Sequence, residues 1–299
     1  MQRMATAALL AVTVIWGSTF FVIKDAVDAM DPADFLAVRF TLAAVVICAV
    51  LWRRIARLSP KHWAFALGVG AVYGLGQLAQ TYGLRLTSAS MSGFITGTYV
   101  VITPLVVWAV FRRRPSVRTW VAVLVAVVGL GVLSITGTSI GGPGEALTLL
   151  GAALYAVHIV ALDRAARRVD VLALTAVQMV GIALVVGIAG LPGGYTVPAA
   201  PSVLGAIAYT ALVAGVLTMG LQTWSQQYLA PTRVALLMTL EPVFATLFAV
   251  VFGGESVTLR LLIGGLMILA GTVIGVRADP APDAPLTTAG PNPEPIHVQ

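Results

Sequence analysis

The chain has 299 residues, 59% of them hydrophobic and only 10% charged, with a mean hydropathy of +0.95. Soluble domains carry about 25% charged residues, so a soluble core is excluded; recurrent apolar runs of roughly 20 residues, each able to cross about 30 Å of hydrocarbon, indicate an all-α integral membrane protein. The net charge of +6 does not mark a nucleic-acid binder, because the cations sit at the ends of the apolar runs, and the single cysteine, Cys48, excludes an intrachain disulfide.

The first run, Met4 to Ile23, follows one cation, Arg3. It is longer than a signal-peptide core and no small-x-small site directly follows it, so it is expected to be an uncleaved first span. In chain order the apolar runs predict ten transmembrane helices near 5–27, 33–52, 63–84, 91–111, 117–136, 145–163, 171–191, 203–228, 233–253 and 257–276. With the N-terminus inside, the inner ends hold Arg3, Arg53, Arg54, Arg57, Lys61, Arg112, Arg113, Arg114, Arg118, Arg164, Arg167, Arg168, Arg233 and Arg277, which is 14 of the 18 Lys and Arg. The outer ends hold Lys24, Arg85 and Arg260, and Arg39 lies within span 2. This positive-inside bias predicts a multi-pass protein of the cell (inner) membrane with both termini in the cytoplasm. From Ala278 to Gln299 there are six prolines, three acids and no Lys or Arg. That composition predicts a disordered cytoplasmic tail over 278–299.

The two halves repeat. An offset of 139 residues superposes spans 1 and 2 on spans 6 and 7 without a gap, bringing Ala37-Val38 onto Ala176-Val177 and Arg39 onto Gln178. With a shifted offset Gly74, Gln80 and Tyr82 meet Gly220, Gln226 and Tyr228, and Pro104 and Gly129 can be set against Pro242 and Gly271. Five spans per half is an odd number, so the second half is expected to be inserted upside down. The loop charges agree: Asp25, Asp28, Asp31 and Asp34 follow span 1, whereas Arg164, Arg167 and Arg168 follow its repeat equivalent. Residues 1–137 and 145–277 are therefore read as two inverted five-helix repeats, an arrangement characteristic of secondary transporters with a midplane site between the halves.

Several stretches carry a more specific likeness. They are Trp16-Gly17-Ser18-Thr19-Phe20, Ala37-Val38-Arg39-Phe40, Tyr82-Gly83-Leu84 leading to Thr87-Ser88-Ala89, Gly93-Phe94, Thr103-Pro104, the run from Leu240 to Glu255, and the glycine-spaced last span Gly264 to Val276. In this order the set resembles the EamA-type branch of the drug/metabolite transporter superfamily over nearly all of residues 5–276. The resemblance implies a ten-helix transporter of small solutes. Two departures bear on the symmetry of the halves: Phe111-Arg112-Arg113-Arg114 stands where the family commonly has Gly-Glu, and Tyr155-Ala156 replaces Trp-Gly.

The candidate cavity-lining residues are Trp16, Thr19, Gln77, Gln80, Tyr99, Tyr155, His158, Gln222, Gln226 and Glu241. Glu241 falls near the middle of span 9, where an ionised acid costs roughly 2.5–3.5 kcal/mol on insertion scales, so it is expected to face protein or water. It is either a protonatable or cation-contacting group beside a cavity or a hydrogen-bonding support for the turn loosened by Pro242. Pro104 and Pro242 are predicted helix breaks. His158 shares a helical face with Tyr155, as a proton-handling group or a packing histidine, and Trp16 with Thr19 forms the equivalent face of span 1. Tyr73, Gln77 and Gln80 form one stripe, Gln222 and Gln226 another, and Thr96, Tyr99 and Thr103 a third; cavity lining and interhelical hydrogen bonding are the two readings. Arg39 is placed to snorkel toward Asp31 or Asp34, with contact to an anionic substrate as the other reading.

The glycines of span 3 lack the Gly-Lys-Ser/Thr of a phosphate loop. No Cys/His cluster points to a metal, no cofactor is implied, and no group of catalytic side chains points to an enzyme. The expected partners are a small-molecule solute and the lipid bilayer, with no nucleic acid, and nothing in the sequence demands more than a monomer. The function expected is a secondary transporter, an exporter of amino acids or related metabolites. Multidrug or cationic-compound efflux is the alternative, and a channel, flippase or scaffold the different class.

Overall fold

The computed structural model describes residues 1–112, 114–136, 139–166, 170–229, 234, 237–238 and 240–278. Arg113, Arg167, Arg168, Arg233 and the segment expected as a tail, beyond Ala278, lie outside them. Helix starts follow the capping residues. Asp31 caps α2 (Pro32–Ile55) by accepting from the Ala33 amide, Ser59 caps α3 (Pro60–Leu86), Ser88 caps α4 (Ala89–Gly97) and Asp170 caps α8 (Val171–Gly190). Each such cap is worth about 1 kcal/mol. Asp31 and Asp170 are equivalent under the 139-residue offset, so both halves start their second helix with the same device.

The remaining helices are α1 (Gln2–Ala29), α5 (Tyr99–Phe111), α6 (Val117–Ser134), α7 (Pro143–Ala166), α9 (Pro201–Ala208), α10 (Thr218–Ser225), α11 (Glu241–Val251) and α12 (Leu259–Ala278). Two-residue strands β1 (Ile135–Thr136) and β2 (Ser139–Ile140) pair antiparallel between α6 and α7, a pairing not foreseen in an all-α reading. Among the described residues six helical stretches are long and apolar enough to cross a membrane, with three shorter apolar helices beside them.

Two spans differ from expectation. The helix does not break at Pro104, which lies inside α5; the turn falls at Thr98, whose hydroxyl donates to the Ile95 carbonyl. Pro104 lacks an amide to give Val100, and the adjacent Thr103 hydroxyl instead ties back on the Tyr99 carbonyl at 2.7 Å, which holds the turn together. Pro242 stands in the first turn of α11, where its missing amide costs nothing. Between α9 and α10 the helix widens into a π-helical stretch, Tyr209–Leu217, and two carbonyls of that stretch accept from side chains of the first half.

Polarity is reversed relative to a soluble fold. Val50, Leu75, Leu124, Ile188 and Leu266 are exposed, while Thr13, Gln77, Gln178, Thr210 and Gln222 are buried. In a bilayer the apolar exterior needs no cover, and polar groups find partners between helices. This is a multi-pass membrane protein.

Close contacts run mostly between the halves. α2 packs on α8, α6 on α12, α4 on α11, α3 on α7 and α8, and α1 on α10 and α11. Small residues allow it: a Cβ on Gly129 would stand 2.8 Å from the Gly264 carbonyl, and one on Gly271 2.8 Å from the Ala122 carbonyl. At one end of the bundle Asp31 binds the Tyr82 hydroxyl at 2.9 Å and Arg85 at 3.6 Å; at the other, Asp170 pairs with Arg54 at 2.9 Å.

Candidate functional site

A cavity lies between the halves, lined from α1 by Trp16, Thr19, Phe20 and Ile23, from α2 by Arg39 and from α3 by Tyr73, Gln77 and Gln80. Thr96 and Tyr99 line it from the fourth span, Tyr155, His158 and Ile159 from α7, and Gln222, Met238 and Glu241 from the last third of the chain. Nine of the ten residues proposed from the sequence are thus brought together. Gln226 is not: α10 ends at Ser225, and Gln226, at its C-terminal cap, lies one turn beyond the lining.

Polar contacts run through the wall in a chain. Arg39 Nη1 donates to Gln77 Oε1 at 3.4 Å, Gln77 Nε2 to the Tyr155 hydroxyl at 2.7 Å, that hydroxyl to Gln80 Oε1 at 2.7 Å, and Gln80 Nε2 to Thr96 Oγ1 at 2.9 Å. Four helices, α2, α3, α7 and α4, are tied by these bonds. The Tyr73 ring stacks obliquely on Tyr155 and on His158, with centroids 5.1 and 4.9 Å away. His158 Nε2 shares a hydrogen bond with Gln178 Oε1 at 2.9 Å. Trp16 Nε1 donates to the Ala214 carbonyl of the π stretch at 3.0 Å and to Thr218 Oγ1 at 2.7 Å.

Among the described residues the cavity is lined by one guanidinium, that of Arg39, and one carboxyl group, that of Glu241, and both are buried. Glu241 opens α11, where the helix N-terminus favours a negative charge, and accepts from the Tyr99 hydroxyl at 3.3 Å. Arg39 does not snorkel to Asp31 or Asp34. Those acids are taken by Tyr82 and Arg85 and by the Thr196 amide, while Arg39 Nε donates to the Thr210 carbonyl at 3.1 Å and its guanidinium lies 4.6 Å from the Phe40 ring centroid. The Thr210 carbonyl lies in the π stretch and is an acceptor that no residue-type pattern announces.

Gln222 Oε1 is buried without a hydrogen-bond partner among the described residues. The space is about 50 Å³, room for a few waters but far below the roughly 300–1,000 Å³ of a ligand pocket. Among the described residues no three His, Cys, Asp or Glu side chains form a metal-holding group.

The sequence model of the EamA-like transporter family matches residues 3–135 and again 142–277. An uncharacterized transporter of Archaeoglobus fulgidus is 32% identical over 272 residues, covering 90% of this chain and 85% of that protein. The uncharacterized inner membrane transporter YedA of Escherichia coli K12 is 28% identical over 277 residues, 89% of each. One crystal structure of a protein superposes with a TM-score of 0.68 at 19% identity, covering 93% of this chain and 98% of that one, which is a likeness of fold.

Proposed function

This chain belongs to the EamA-like transporter family, and on that premise we propose that it exports amino acids or related small metabolites by alternating access between two inverted five-helix repeats, residues 1–137 and 145–277. The observation that carries the reading is the cavity: a space walled by polar and aromatic side chains from both halves, inside a bundle whose exterior is apolar. Midplane sites between inverted repeats are how secondary transporters hold a solute. The cavity residues proposed above serve as that site, with Glu241 and the glutamines as its polar contacts.

The helix pairing supports the repeat. α1 packs on α10 and α11, and its equivalent α7 packs on α3 and on the α4–α5 span, whereas α2 and α8, and α6 and α12, each pack on their own equivalents. Exchanging the halves thus maps the main contacts onto one another. The cavity's small volume fits an occluded state, from which rocking of one half against the other would open a path on either side. Placement in the cell membrane with both termini in the cytoplasm rests on the distribution of Lys and Arg.

Counterflow in proteoliposomes loaded with pooled labelled metabolites tests the proposal. Saturable exchange that needs unlabelled solute on the far side is the expected result. Flux that never saturates would instead identify a channel, and no flux of any solute would overturn the reading. Efflux of organic cations is the second reading, favoured by Glu241 as the one carboxylate lining the cavity among the described residues.

A further inference from the structure

We infer that Arg39 is the recognition point for a carboxylate on the transported solute, with Gln77 Oε1 holding that carboxylate's place in the small cavity. The inference rests on the transport reading above and narrows it to solutes bearing a carboxylate.

A buried guanidinium is costly unless its charge is met. Arg39 is buried in a cavity wall, and no carboxylate lies within ion-pair reach of it among the described residues. Its acceptors are neutral, the Thr210 carbonyl at 3.1 Å and the Gln77 amide oxygen at 3.4 Å. The second contact is longer than a usual N–H···O bond, and charge-assisted Arg–carboxylate bonds run about 2.7–2.9 Å and are commonly bidentate. The Nε bond to a main-chain carbonyl fixes the guanidinium plane. A solute carboxylate displacing the Gln77 oxygen would exchange a long neutral contact for a charged fork.

The repeat equivalent sharpens the point. Gln178, at the corresponding place in the second half, is uncharged and shares its Oε1 with His158, so of these two positions the first half's carries the cation. The displaced Gln77 is also the head of the bonds running through Tyr155 and Gln80 to Thr96, which gives a bound carboxylate a direct path to the helices around it. Glu241, on α11 in the same cavity, offers a cationic group of that solute its own partner. A zwitterion therefore suits the lining better than an anion or a cation alone.

The test uses the full-length protein in proteoliposomes with labelled standard L-amino acids, the amines left when their carboxyl groups are removed, and tetraphenylphosphonium. Amino acids should counterflow at least about tenfold faster than the matching amines, the ratio expected from losing one charged hydrogen-bonded contact. The variant Gln77→Glu places a resident carboxylate against Arg39. It should abolish that preference in the folded protein, although the carboxylate gives up the bond that Gln77 Nε2 donates to the Tyr155 hydroxyl. Amines or tetraphenylphosphonium carried as well as amino acids by the wild type would overturn the inference while leaving transport intact, and so would a preference unchanged in a folded Gln77→Glu. The wild-type comparison decides the matter even where the variant does not fold. Flux of no probe overturns the transport reading and this inference with it.

Discussion

Trp16 and Tyr155 stand 139 residues apart, one in each of the two stretches that match the family, and each reaches across to the other stretch. Trp16 donates to Ala214 and Thr218, and Tyr155 exchanges hydrogen bonds with Gln77 and Gln80. The substitution of Tyr for Trp between the halves keeps the cross-connection and changes its chemistry: indole only donates, whereas the phenol both donates and accepts.

The difference sets an order of stability. In Trp16→Phe the Thr218 hydroxyl keeps its bond to the Ala214 carbonyl at 2.6 Å, so the loss should stay below about 1 kcal/mol. In Tyr155→Phe, Gln77 Nε2 and Gln80 Oε1 are left buried and unpaired, which costs about 1–3 kcal/mol each. Thermal unfolding in detergent should place Tyr155→Phe clearly below Trp16→Phe; the reverse order would contradict this account.

Much of this site was legible in the sequence because helical spacing decides which side chains share a face. The stripe Tyr73–Gln77–Gln80 reaches the cavity, as do Tyr155, His158 and, of the stripe Thr96–Tyr99–Thr103, the first two, whereas the Thr103 hydroxyl bonds the Tyr99 carbonyl instead. Gln226 keeps the helical spacing from Gln222, its amide bonding the Gln222 carbonyl, but lies one turn beyond the cavity, and a shared face does not tell how far along the helix a cavity extends. Arg39 was misdirected toward the acidic loop for a different reason. Its main partner is a backbone carbonyl, that of Thr210 in the π-helical stretch, and sequence patterns announce side-chain types but not which main-chain carbonyl meets them. The turn at Thr98 in place of Pro104 is a third such case. A proline's missing hydrogen bond is readable, yet whether neighbours such as Thr103 compensate depends on the folded turn.

The crossing of α4 with α11 depends on Gly93 and Gly97. A Cβ on Gly93 would lie 2.6 Å from the Ala245 Cβ, and one on Gly97 3.2 Å from Pro242 Cγ. Leucine at position 93 cannot be accommodated without separating the helices, and overpacking of this kind costs about 1–3 kcal/mol or more. Gly93→Leu should lower the melting temperature and the yield of folded protein, while Gly68→Leu, where a Cβ meets nothing within 4 Å, should change neither.

The Arg54–Asp170 pair joins the end of α2 to the start of α8. Burial alone would raise the Asp170 pKa, but amide donors from Ala173 and Leu172 and the Arg54 guanidinium outweigh it and hold the carboxyl below its usual range. A depressed folded pKa contributes stability that is present above the unfolded value, near 3.8, and lost as the pH falls through the lower folded value. Both side chains are substantially exposed, so the pair should be worth under about 1 kcal/mol. Asp170→Asn keeps a good helix cap and removes the charge. Its deficit against wild type should be measurable at neutral pH and fade below about pH 4; a deficit that grows in acid would refute the ion-pair account.

Topology follows from the basic residues. In a Cys48→Ala background, cysteines at Arg57, Arg113 and Arg167 should resist an impermeant maleimide in intact cells, and cysteines near Pro32, Gly142 and Pro198 should react. Labelling of position 113 from outside would reverse the assigned orientation.

Glu241 can act in the transport cycle or can serve only to start α11 beside Pro242, and its surroundings separate the two. Its carboxylate is buried, stands in the first turn of the helix and accepts from the Tyr99 hydroxyl. Glu241→Gln retains an oxygen for Tyr99 and gives up only the charge, so its structural cost should be confined to the helix-end interaction, about 0.3–1 kcal/mol. Glu241→Ala leaves the Tyr99 hydroxyl buried without that acceptor, a loss of about 1–3 kcal/mol. A group that titrates during transport predicts that Glu241→Gln inserts and folds normally, yet its counterflow drops sharply or loses its dependence on pH between about 5.5 and 8, the range over which buried carboxylates and histidines change charge. Wild-type flux in Glu241→Gln across that range, with only Glu241→Ala impaired, would assign the residue to the fold. Reading flux and thermal stability on the same preparations keeps the two roles apart, because the charge matters to the first and the hydrogen bond to the second.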